Sequence, residues 1–151
     1  MRAAIALGSN LGDREALLRR GAEALREVLS SLALSSAHET AYVGAGTAQP
    51  AYLNAAATGD TVLTARGLLD ALLETERQFG RERPYPDAPR TLDLDLILYG
   101  MEIHEAPGLV VPHPRFRRRR FVLEPLAEIA ADWIDPVTGR TIEELLRVVD
   151  S

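Results

Sequence analysis

Short apolar runs alternate with amphipathic stretches along this chain. Residues 2–7 read as an apolar strand, and the turn Gly8-Ser9-Asn10-Leu11-Gly12 follows. Leu17, Gly21, Ala24, Leu25 and Val28 then recur at helical spacing, with Asp13 placed to cap the first turn. Residues 32–39 predict a second strand. Residues 40–51 hold Gly44, Gly46 and Pro50 and predict a loop. Residues 52–63 predict a longer strand with an irregular, small-residue middle. Thr64 is set to cap a second helix, with Leu68, Leu69, Leu72 and Phe79 facing inward and Gly80 as its stop. Residues 80–89 carry three prolines and no periodicity, which predicts a long mobile loop. Residues 91–102 give the clearest strand. A proline-rich passage and a basic run follow, and residues 121–130 and 141–149 predict short helices. The order βαββαβ with added C-terminal helices predicts an α+β, ferredoxin-like sandwich. Its two main helices are expected to cover one sheet face and leave the other for a site. With no internal repeat or linker, a single domain over residues 1–151 is expected.

Composition narrows the chemistry. The 151 residues suit one core, and 46% are hydrophobic. The net charge of −5 disfavours a general nucleic-acid binder. There is no cysteine, which removes disulfides, thiolate nucleophiles and cysteine metal sites. All 17 basic residues are arginine. Schiff-base chemistry and a P-loop lysine are therefore impossible, and phosphate must be held by arginine, backbone N–H or metal. No stretch has the pattern of a secretory signal or a membrane span, so a soluble, cytoplasmic protein is expected.

The informative stretch is PRTLDLDLILYG, residues 89–100. Strand alternation puts Leu92, Leu94, Leu96 and Leu98 on one face and Asp93, Asp95 and Ile97 on the other. Two carboxylates with Cα atoms roughly 7 Å apart repel each other unless water, arginine or a cation compensates. Magnesium suits such a pair, because it combines one or two carboxylates with substrate phosphates. Arg81, Arg83 and Arg90 stand upstream, and His113 precedes Arg115, Arg117, Arg118, Arg119 and Arg120. Acids for metal and arginines for phosphate oxygens fit an Mg-bound polyphosphate. A solvated acidic strand face and a solvated basic run remain the plain alternatives. The P-loop, GxGxxG, HExxH and GxSxG motifs are all missing.

Taken together, ALGSNLGDR, QPAYLN, APRTLDLDLILYG, VPHPRF and RRFVLEPLAEIA, in that order, resemble the 6-hydroxymethyl-7,8-dihydropterin pyrophosphokinases of the folate pathway. The likeness runs essentially end to end. It implies diphosphate transfer from ATP to the pterin hydroxymethyl group with release of AMP. It also implies a ferredoxin-like fold and two magnesium ions on Asp93 and Asp95. By the same resemblance Arg81 and Arg90 engage ATP phosphates and assist transfer. Glu76, Arg83, His113 and Arg119 join the ATP site. Thr40, Val43, Tyr52, Asn54 and Phe121 fall at the pterin. Family precedent favours a monomer. Asp87-Ala88 stand where some members have tryptophan-glycine, and Leu73 where some have glutamine.

Two alternatives belong to other classes. A ferredoxin-like nucleic-acid module could stack a base on Phe116 within the arginine run. Another magnesium-dependent phosphohydrolase would use the same acids and release phosphate without pterin.

Overall fold

Strand β1 (Arg2–Ser9) lies between two antiparallel neighbours, β4 (Tyr52–Asp60) and β5 (Asp93–Tyr99). The structure, a computed structural model, describes residues 1–9, 13–40, 52–80 and 92–149. On the far side of β4 run β2 (Ser30–Leu34) and β3 (His38–Thr40), both antiparallel to it. The order is β2-β4-β1-β5, with β3 also on β4. Helix α1 (Arg14–Leu25) joins β1 to β2, and α2 (Ala65–Gly80) precedes β5. Asp13 Oδ1 accepts from Ala16 N at 3.1 Å and Thr64 Oγ1 from Gly67 N at 3.0 Å, so both expected caps are in place.

The expected second strand is broken in two. Leu34 faces Ala57 and His38 faces Asn54, so three edge residues oppose two on β4. Ser35 accommodates this bulge, because its N–H donates to Ala56 O and its hydroxyl accepts from Ala56 N, both at 2.8 Å. The small residues in the middle of β4 form continuous strand rather than an irregular segment. Strand β5 ends at Tyr99, before the window expected from sequence does, because Gly100 turns the chain at φ 55°. The proline-rich passage holds an unforeseen hairpin, β6 (His104–Ala106) and β7 (Leu109–Val111), turning at Pro107-Gly108.

Two hydrophobic cores lie on opposite sheet faces. Ala3, Ile5, Leu7, Leu92, Leu94 and Leu96 pack with Leu17, Leu25, Leu68, Leu72 and Phe79 of α1 and α2. On the other face α3 (Arg120–Ala130) and α4 (Ile142–Val148) bury Ala4, Ala56, Ile97 and Leu98 with Phe116. Sequence alternation places Leu98 with the other leucines, but it does not lie there. A register shift sets Ala4 opposite Leu98 and Ile5 opposite Leu96, so Ile97 is an extra residue and Leu98 changes face. Nor is the second face left free as expected. The C-terminal helices cover the end near Ala4 and leave the end near Gly8.

Candidate active site

The uncovered end of that face is the floor of a cavity of about 850 Å³. Register defines the floor. Gly8 lies opposite Asn54 on one side and Asp93 on the other, and Ala6 lies between Ala56 and Asp95. Small residues on the central strand thus separate an amide from two carboxylates. A Cβ added at Gly8 would stand 3.3 Å from Asn54 Oδ1, so the glycine keeps this floor flat. Asp93 and Asp95 are half-buried and project to the same side, as alternation predicts. Among the described residues no group of three or more histidine or acidic side chains could by itself enclose a metal. The donor set is that of a hard cation completed by phosphate and water.

The amide end is fixed by hydrogen bonding. Asn54 is buried and its Nδ2 donates to Thr40 Oγ1 at 2.8 Å, which presents Oδ1 above Gly8. Tyr52 and Phe121 line the same cavity, and Phe121 is 39% exposed at the start of α3. The Arg119 guanidinium lies over that ring, 5.5 Å from its centroid.

At the acidic end, α2 and β7 supply the walls. Glu76 Oε2 accepts from Leu94 N at 2.7 Å, so this carboxylate is tied to the backbone between the two aspartates. His113 N donates to Ile97 O at 3.0 Å, which holds the histidine beside β5. His113 Nδ1 accepts from Arg115 N at 3.1 Å, so Nε2 carries the proton of the neutral ring. Burial lowers the His113 pKa; Asp95 opposes this, while Arg119 and Arg115 reinforce it. Neutral His113 therefore offers one N–H from Nε2. Leu69, Leu73, Val110 and Val111 add an apolar wall that the sequence reading did not foresee. The Pro-Gly turn of the hairpin was its available signal.

Cavity walls thus bring together Thr40, Tyr52, Asn54, Glu76, Asp93, Asp95, His113, Arg119 and Phe121. Val43, Arg81, Arg83 and Arg90 lie outside the described residues, as do all but the first residue of the loops expected at 40–51 and 80–89. The basic run is not one phosphate-binding face. Arg117 donates to the buried Asp135 from Nε at 2.5 Å and Nη2 at 2.9 Å. Arg120 pairs with Glu124 at 3.1 Å and caps Val149 O. Phe116 is fully buried, which removes the base-stacking role that a nucleic-acid module would need.

The family model for 7,8-dihydro-6-hydroxymethylpterin-pyrophosphokinase (HPPK) matches residues 4–131. The chain belongs to the HPPK family. The 2-amino-4-hydroxy-6-hydroxymethyldihydropteridine pyrophosphokinase of Synechocystis is 50% identical over 105 residues, 70% of this chain and 54% of that protein. The chain thus spans about half the length of that relative. The Methylorubrum extorquens protein of the same name is 40% identical, covering 99% of this chain and 94% of its own. The pteroate-bound Plasmodium falciparum HPPK-DHPS crystal structure superposes with a TM-score of 0.72 at 13% identity. That match covers 97% of this chain and 42% of the Plasmodium chain, and it supports an HPPK fold.

Proposed function

We propose that this HPPK-family chain transfers diphosphate from ATP to the hydroxymethyl oxygen of 6-hydroxymethyl-7,8-dihydropterin in folate biosynthesis. A new O–P bond forms at the β-phosphorus, the α–β bridge breaks, and AMP leaves. The observation that carries this reading is the floor itself: Asn54, Gly8 and Asp93 in one cross-strand row, with Asp95 alongside. In this reading the row would seat a flat ring next to the Asp93–Asp95 pair.

Asn54 and Thr40 hydrogen-bond the pterin edge, while Phe121 and Tyr52 bound its faces. Val43 completes this end. Asp93 and Asp95 hold magnesium, two ions by the family's precedent, which offsets charge on the transferred phosphoryl groups. His113 donates from Nε2 to a phosphate oxygen, and Arg119 adds a cation where the two substrates meet. Glu76 shapes the nucleotide pocket. Arg81, Arg83 and Arg90 grip and steer the phosphates, with Arg81 and Arg90 assisting transfer. Held this way, donor and acceptor react by positioning and electrostatics.

The ferredoxin-like arrangement belongs to the same reading. The antiparallel order β2-β4-β1-β5, with α1 and α2 packed on one face, supports it. We also assign a monomeric, cytoplasmic enzyme that binds neither nucleic acid nor membrane. No helix among the described residues is long and apolar enough to cross a membrane.

AMP release from ATP and magnesium, with and without the pterin, tests the reaction. AMP that depends on pterin is the expected result. ADP, or phosphate released without pterin, would overturn it in favour of a hydrolase.

A further inference from the structure

A polar cluster outside the cavity joins the two elements that bound its amide end. On β3 and the bulge before it, Ser36, His38 and Thr40 are alternate residues. On α3, Phe121, Glu124 and Glu128 stand at i, i+3 and i+7, along one helix face. These two rows meet. Glu128 Oε1 accepts from Ser36 N at 2.9 Å, and the Ser36 hydroxyl lies 2.8 Å from Oε2. His38 Nε2 hydrogen-bonds Glu128 Oε2, and His38 Nδ1 lies 3.7 Å from Glu124 Oε2. Arg120 pairs with Glu124 from the same helix at 3.1 Å. The Ser36 N–H, with help from His38, holds the Glu128 carboxyl below the usual range.

Among the described residues, strand β3 has few other restraints. Three register pairs with β4 hold it: His38 with Asn54, Glu39 with Leu53, and Thr40 with Tyr52. An exposed Arg14–Glu39 contact at 3.4 Å tethers its other face. Thr40, the acceptor for Asn54, is its last residue. Helix α3 begins next to Phe121. Whatever fixes β3 against α3 therefore fixes the gap between the Thr40–Asn54 pair and the Phe121 ring.

We propose that the Ser36–His38–Glu128 clasp is a positioning device for the acceptor. It sets the width of the slot that receives the flat ring, without touching substrate itself. This rests on the proposed reaction. The donor end is built from α2, β5 and β7, whereas the clasp's side-chain hydrogen bonds among the described residues stay between the β3 segment and α3.

The test is steady-state kinetics of His38→Ala, Glu128→Ala and the double variant, with the parent chain assayed alongside. The expected result is a pterin KM raised about tenfold, as a 1.4 kcal/mol loss would give. The ATP KM stays at the parent value, and thermal melts still show a folded chain. The double variant is no worse than the worse single, because each change opens the same clasp. His38→Gln, which keeps an N–H donor, recovers most of the pterin affinity. A parental pterin KM in both folded single variants would overturn the clasp alone. An equal rise in both KM values would also overturn it, since that is general loosening. A parent chain that makes no pterin-dependent AMP would overturn the reaction and the clasp with it.

Discussion

Asp93 and Asp95 show how far a single residue type can be read. Like charges two residues apart on a strand need a compensating partner, and the surrounding arginines pointed to a bound polyphosphate. The structure bears out their shared face. Asp95→Ala should lower kcat by at least about 10²–10³-fold, the scale of losing one strong electrostatic contact in a transition state. Its melting temperature should match or exceed the parent's, because one of two like charges is gone. Single-turnover AMP release with a thermal melt checks both, and a fully active variant would remove the metal-site assignment. Gly8 and Ala6 were not legible in the same way. A glycine in a turn-like stretch gives no hint that it lies between Asn54 and Asp93, because strand register is a tertiary property. Arg117 was misleading for a related reason: one arginine in a run looks like the next until its partner, Asp135, is located.

At the level of elements, caps and periodicities were readable and irregularities were not. Asp13, Thr64 and the apolar stripes of α1 and α2 are local signals: both caps form and Leu17, Gly21, Leu25, Leu68, Leu72 and Phe79 are buried, while Ala24, Leu69 and Val28, the last beyond the end of α1, are half-buried. Both bulges escaped notice. The Ser35 bulge depends on a hydroxyl replacing a ladder partner, and the Ile97 bulge on helices that cover Leu98 from the far face. The link between the 3₁₀ turn Phe116–Arg118 and the chain at Asp135 gives an element-scale prediction. Burial alone would raise the Asp135 pKa, but hydrogen bonds from Arg117, Thr138 and Val137 N hold it below the usual carboxylate value. A carboxyl depressed in the folded state stabilises above its unfolded pKa, about 3.9. That stability is lost as pH falls through the lower folded value. Asp135→Asn should therefore be less stable than the parent at neutral pH, by about 3 kcal/mol for a broken buried pair. The gap should narrow below pH of about 4. Urea melts across that range measure it, and a constant gap would contradict the assignment.

Across the whole molecule, the sheet is shared by two helical layers. Arg2 lies over the Trp133 ring at 4.3 Å, so the first strand touches the C-terminal layer directly. Trp133 is the chain's single tryptophan and reports on that layer and its contact with β1. Its fluorescence transition in urea should coincide with loss of far-UV circular dichroism, because neither layer keeps a buried face without β1. Separate midpoints would show that α3 and α4 come away as a unit of their own. The mixed helix-and-sheet class, with its antiparallel sheet, followed from element order. The second layer did not, since short C-terminal helices carry no signal of which sheet face they bury.

The flat floor has one more consequence. Neighbouring strands are spaced at about 4.8 Å, so Asn54 and Asp93 stand about 10 Å apart across Gly8. Neither side-chain flexing nor loop closure alters that interval, because backbone hydrogen bonds set it. The sheet therefore works as a gauge. Under the proposed reaction, an acceptor anchored at Asn54 would present its oxygen toward the Asp93–Asp95 pair only if its reach matched that interval. Strand spacing would then help select ring size and arm length, alongside the side chains that anchor the acceptor.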